Sequence, residues 1–303
     1  MSEKFAHCLR PLFTENLLKD LQAGISLNLV GDHGQGRWRL LEDLQRCALE
    51  KPLILAVNMR SYKQSYDGFV SALWQPLGET AGGGDLGSLL TALEKRQQQV
   101  IFWLHDFDAL LDNPDIDQRY NMDFMGSLNS IKNHYHWSLV CVTSKSYRKY
   151  VIIIEGQTKV SPLELTAETL PKLTFEEIRY EVKSRNLPLN SEELALVTKA
   201  IHGQLMSYQW LSAIANNLRN QIDVELSVPV RLEKWRKEFR QLQPRVFDVR
   251  GGYELSRKIR TWLVAAKARS LVETVIHLVF HPLIVLFEKI VEFFTELVKR
   301  RPK

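Results

Sequence analysis

ISLNLVGDHGQGRWRLLEDL, residues 25–44, is the stretch that decides how the chain is read. An apolar run (Ile25, Leu27, Leu29, Val30) leads into three glycines, Gly31, Gly34 and Gly36, and then into Leu40, Leu41 and Leu44 at helical spacing. Strand, glycine-rich turn and helix is the order in which main-chain amides close around an anion at a helix N-terminus. Gly31 and Gly36 keep the spacing of G-x-x-x-x-G-K-[ST], with Gly34 and Gln35 inside the loop. Arg37 stands where the lysine belongs, and Trp38 where a hydroxyl would ligate Mg²⁺. The pattern predicts a phosphate cradle that has lost its metal ligand. An inherited strand-to-helix turn with no ligand fits the same glycines.

Working outward, residues 2–24 predict a helix with Leu12, Leu17, Leu18 and Leu21 along one side and Gly24 as its stop. Residues 52–59 (PLILAVNM) predict a strand buried on both faces. A helix follows around Phe69 to Trp74, then a mobile surface loop at 81–85 (AGGGD), then a helix from Leu89 to Arg96. Residues 100–104 (VIFWL) predict a further buried strand that runs into His105, Asp106, Phe107 and Asp108. Acidic groups at the end of a parallel strand line the ligand crevice, so Asp106 and Asp108 are the catalytic candidates. Capping of a helix near Ala109 is the commoner role for such aspartates. Residues 137–143 (WSLVCVT) predict another strand, whose end places Thr143 and Ser144 to touch a phosphate. Strands alternating with helices imply an α/β fold with a parallel sheet.

From Pro162 the texture changes to short capped helices. Thr174 with Glu177 fits a capping box, Asn190 with Glu193 starts a second helix, and Tyr208, Leu211, Ile214, Ala215 and Leu218 mark a third. The expected division is an α/β domain over 1–160, a helical lid over 161–225 and a helical extension over 226–303.

Composition fits a globular protein: 303 residues, 45% hydrophobic and 25% charged. The net charge of +5 is uneven, because residues 231–270 carry twelve Lys/Arg against four Asp/Glu, while residues 1–230 sum to −4. Cys8, Cys47 and Cys141 show no pairing or metal-ligand spacing, which predicts packed thiols in a reduced, cytoplasmic protein. The N-terminus has no continuous apolar segment after its charges, so a signal peptide is not expected.

Together these pieces resemble the AAA+/STAND group of P-loop ATPases, especially prokaryotic ATP-binding proteins, over about residues 10–222. The resemblance rests on the glycine loop, the strand ending in His105 to Asp108, the strand ending in Thr143 and Ser144, and the helical lid. It implies a parallel-sheet P-loop NTPase domain with ATP or ADP held by Gly31, Gly34, Gln35, Gly36, Arg37, Trp38 and Thr143. His202-Gly203-Gln204-Leu205 falls where relatives carry a Gly-Gly-x-Pro turn. The departures bear on chemistry. The lysine, the hydroxyl and the first acidic residue (here His105) are all replaced, so Mg²⁺ is not expected. The implied function is a degenerate nucleotide-binding protein with little or no hydrolysis, a regulatory or scaffold subunit of a prokaryotic assembly.

The C-terminal part leaves three partners open. Residues 231–269 interleave basic side chains with Trp235, Phe239, Phe247 and Trp262, which suits nucleic acid. It equally suits an amphipathic helix with aromatics in its core. The alternative functions are an active ATPase that binds DNA through this basic region and a peripheral membrane protein anchored by the amphipathic C-terminal helix. Residues 274–287 (TVIHLVFHPLIVLF) are apolar but too short to span a bilayer, and Pro282 interrupts them. Leu286, Ile290, Phe293, Phe294 and Leu297 then line one helical face. For 271–303 a protein partner or self-assembly ranks ahead of a membrane interface.

Overall fold

The computed structural model describes residues 3–48, 52–78 and 85–242. The chain divides into two compact units, Met1–Phe239 and Arg240–Lys303. The predicted loop at 81–84 and the C-terminal segments beyond residue 242, including Phe247, Trp262 and the apolar face at 286–297, lie outside the described residues.

Five parallel strands form the sheet: β1 (Leu27–Val30), β2 (Leu53–Asn58), β3 (Val100–His105), β4 (Trp137–Thr143) and, beyond the hairpin β5 (Val151–Ile154) and β6 (Gln157–Val160), β7 (Thr166–Thr169). Their order is β2-β3-β4-β1-β7. Residues of β3 and β4 are buried throughout, as a central parallel strand requires. Alternation along them separates two cores. Phe102, Leu104, Leu139 and Cys141 pack under α4 (Tyr66–Trp74), α5 (Leu86–Lys95) and α6 (Met122–Asn133). Ile101, Trp103, Val140 and Val142 face α1 (Pro11–Gln22) and α2 (Arg37–Cys47). Between β2 and α4 lies a single helical turn, α3 (Met59–Tyr62), capped by the Asn58 side chain. A third core joins α7 (Phe175–Ser184), α8 (Ser191–Ile201), α9 (Ser207–Arg219) and α10 (Val228–Leu242) around Ile178, Val197, Trp210, Ile214 and Trp235.

Two expectations are corrected. The first long helix starts only at Pro11, which fixes a helical φ and needs no N–H there, and Leu12 is 65% exposed while Thr14, Leu17, Leu18 and Leu21 are buried. The strand expected to be buried on both faces is β2, which lies at the sheet edge with only Leu55 and Val57 buried. A dense apolar run cannot distinguish an edge from a centre. Of the two readings of the aromatics in 231–269, the packed one holds where the residues are described: Trp235 is 2% exposed in the lid core, and Phe239 packs on Trp210. Gly24 does end α1, at φ +82, with the Ile25 amide donating back to the Asp20 carbonyl. Both capping boxes form, with Glu177 and Glu193 each accepting from the N-cap amide. No helix among the described residues is long and apolar enough to cross a membrane.

Candidate functional site

The glycine loop and the acidic strand end are brought together by topology. β1 and β3 both pair with β4, so their C-terminal ends flank Thr143 at about twice the strand spacing, roughly 10 Å. The Gly31 amide extends the ladder to the Thr143 carbonyl. Gly34 (φ +81) and Gly36 (φ +89) then turn the chain into α2 through the left-handed region. The first main-chain bond of α2 runs from the Leu40 amide to the Gly36 carbonyl, so the amides of Arg37, Trp38 and Arg39 have no acceptor one turn back.

Only a long side chain spans the gap across β4, and Arg37 does. Its Nη2 donates to Asp106 Oδ1 at 2.6 Å and lies 2.7 Å from His33 Nδ1. Both partners of the ion pair are buried, at 4% and 8% side-chain exposure, and Arg37 Nη1 is buried with no partner. Arg60 Nε approaches Asp106 Oδ2 from the solvent side at 3.6 Å. Burial opposes the charge on Asp106, but His105, Arg37 and Arg60 outweigh it and hold its carboxyl well below the usual carboxylate range. Asp106 itself sits at φ +52, a conformation aspartate tolerates better than most residues.

Trp38 lies flat on His105, with ring centroids 3.9 Å apart and planes 14° from parallel. His105 is 1% exposed, with its Nδ1 3.5 Å from Asp106 Oδ1. Burial lowers its pKa, as it does that of His33, so both rings are neutral at pH 7. Asp108 accepts from the amide and hydroxyl of Ser144. Neither aspartate caps a helix, since the 3-10 turn Phe107–Ala109 has no side-chain cap. Thr143 is fully buried, its Oγ1 2.9 Å from Asn28 Oδ1 and 2.7 Å from the Lys145 carbonyl. Gln35 is buried too, its carbonyl accepting from Arg10 Nη2 at 2.7 Å. Arg148 and Lys149, just beyond this strand end, are exposed.

The bare faces of the glycines are filled by the protein itself. A Cβ at Gly31 would meet Leu170, one at Gly34 would meet Met206 at 2.8 Å, and one at Gly36 would meet Tyr208 at 3.0 Å. The Gln209 amide donates to the Gly34 carbonyl, seating the start of α9 directly on the loop. Two further ties were not anticipated. Arg10, 1% exposed, binds both Gln35 and the Pro171 carbonyl, and burial pushes its pKa down to about 10. On α2, Arg39 bridges buried Asp43 to Glu181 of α7, at 2.8 Å each. The signal available in the sequence was Arg39 and Asp43 four apart on a helix otherwise committed to packing.

This donor set does not suit Mg²⁺, which needs several hard oxygens in octahedral array. Trp38 offers none, and the Asp106 carboxylate is taken by guanidinium groups. A phosphate fares better, since Arg37 Nη1 is a buried donor without a partner beside the first turn of a helix, whose leading amides have no intrahelical acceptor.

The parallel sheet, with helices on both faces and a helical lid, has the AAA+ P-loop NTPase fold. Among solved structures, the chain is similar to the Aeropyrum pernix ORC1 protein in complex with DNA, at 18% identity and a TM-score of 0.50, over 76% of this chain and 65% of that one. It also aligns with Cdc6p from Pyrobaculum aerophilum (14% identity, TM-score 0.48, 71% of this chain and 62% of that one). A third is domain III of the replication initiation protein DnaA from Thermotoga maritima (13% identity, TM-score 0.48, 80% of this chain and 95% of that one). No family model matches the sequence, and no curated protein matches it.

Proposed function

We propose that this chain is a non-hydrolytic, STAND-type AAA+ protein serving as a regulatory or scaffold subunit of a larger assembly. The observation that carries the reading is the buried Arg37–Asp106 pair, which commits the strand-end carboxylate to an internal guanidinium instead of to a metal or a water. The Trp38–His105 stack supports it, because it puts two rings where the loop would need a hydroxyl and a carboxylate. ADP or ATP, if bound, is held through phosphate by the amides of residues 37–39 and Arg37 Nη1, without help from Mg²⁺. The test is turnover of ATP by the full chain, with and without Mg²⁺, alongside extraction of any nucleotide that copurifies. The expected result is no Mg²⁺-dependent hydrolysis above a denatured control. Turnover that vanishes on Asp106→Ala would overturn the reading.

The second reading is DNA binding, favoured by the solvent face of α10, where Lys234, Lys237 and Arg240 are exposed. Trp235 and Phe239 contribute to packing there, so contact would be through phosphate alone and would weaken steeply with salt. Charge-neutral substitution of Lys237 and Arg240 should then lower affinity for every sequence alike. Binding indifferent to salt and to both changes removes this reading.

A further inference from the structure

The N-terminal segment and the last turn of α2 bring together three residues that the sequence keeps apart. Cys8 Sγ lies 3.5 Å from Cys47 Sγ, and the ligand atoms of His7, Cys8 and Cys47 all fall within 4.8 Å of one another. A tetrahedral zinc ion with sulfur bonds of about 2.3 Å holds two thiolates about 3.8 Å apart. The pair is thus within a few tenths of an ångström of the required bite. The imidazole stands at the distance of a third ligand. Both cysteines are buried, at 2% and 0% exposure, whereas His7 is exposed and lines a cleft of about 570 Å³, so the third ligand is the one that faces solvent.

We infer that His7, Cys8 and Cys47 form a binding site for a zinc-like divalent cation, separate from the glycine loop. Two thiolates and an imidazole are the donors that such a borderline-soft ion prefers over Mg²⁺ or Ca²⁺. Binding converts two thiols to thiolates and releases two protons to solvent, with no change of oxidation state. The cation clamps the segment before α1 to the end of α2. It therefore braces the wall from which Leu9 enters the lid core and its amide bonds Asp43.

Cobalt(II) is the probe, added to the reduced full chain. Thiolate-to-cobalt charge transfer in the near ultraviolet is expected to saturate at one equivalent and to be displaced by zinc. Because the chain has only three cysteines, the band can come from no thiols but Cys8, Cys47 or Cys141. It should vanish in Cys8→Ser and Cys47→Ser and persist in Cys141→Ser. Should the buried variants unfold, exposed His7→Gln supplies the test: it folds, and its cobalt affinity falls at least tenfold. Zinc should also raise the melting temperature of the wild type more than that of His7→Gln. No charge-transfer band, a band retained in Cys47→Ser, or equal cobalt affinity in His7→Gln would each overturn the site. So would a Cys8–Cys47 disulfide forming on mild oxidation in a protein that takes up no cobalt.

Discussion

Replacing Asp106 by asparagine keeps the shape of the side chain and its tolerance of φ +52 but leaves the Arg37 guanidinium buried without a counter-charge. Removing one member of a buried ion pair costs about 3–5 kcal/mol, because the survivor pays for desolvation with no return. Arg37 retains only His33 as a close neighbour, so the upper part of that range is expected. Arg37→Met is milder, about 2 kcal/mol, because Arg60 at 3.6 Å remains beside Asp106. The double variant removes both charges and should cost no more than the worse single, giving a coupling of about 2–3 kcal/mol. Urea unfolding followed by tryptophan fluorescence reads this directly, with Trp38 next to Arg37 in the chain and stacked on His105. At a slope of about 2–3 kcal/mol per molar, Asp106→Asn should move the midpoint down by roughly 1–2 M. Additive single costs, or an unmoved midpoint in Asp106→Asn, would refute the reasoning. A carboxylate poised for catalysis gives that opposite pattern, since its replacement commonly leaves stability intact or raises it.

The buried histidines set a pH dependence. Burial depresses His105 and His33, so the unfolded chain takes up protons near pH 6.5 while the folded one does not. Stability is therefore full above about 6.5 and falls as pH drops toward the folded values, and His105→Phe, which keeps the stack on Trp38, should flatten that decline in melting temperature. Gly34→Ala combines φ +81 with a 2.8 Å approach to Met206, so it should cost about 2 kcal/mol and raise hydrogen exchange at the Gln209 amide. Gly156→Ala, at φ +73 with open space around it, should cost only the backbone part, about 1 kcal/mol. Asn190→Ala removes the acceptor for two amides of α8 and should lower stability by about 1 kcal/mol in the same urea assay.

Much of the architecture was legible because it is local. Strand, glycine turn and helix at 25–44, the buried runs of β3 and β4 and both capping boxes all depend on residues within a few positions of one another. The hairpin at 151–160 was overlooked, although Glu155 and Gly156, both at positive φ, sit between two short strands as a two-residue turn. β7 is short and wholly exposed, so no hydrophobic period marks it. At the site, the residue types were legible but their partnerships were not. Nothing in the sequence says that Arg37 reaches across β4 to Asp106, that Trp38 lies on His105, or that Cys8 meets Cys47. Those pairings exist only once strand order has been set.

The tie between residues 37 and 106 also limits which sequence changes remain open to this chain. Arg37 serves His33 and Asp106 together through Nη2 at the far end of its side chain, and a lysine ammonium, one bond closer to the backbone, falls short of that point. A return to lysine at 37 would loosen Asp106 before any metal ligand existed at 38 to profit from it. A carboxylate at 105 would arrive in a place with no exposure and a tryptophan across its face. Each backward step loses stability on its own, so the pair works as a ratchet, and only several simultaneous replacements lead back.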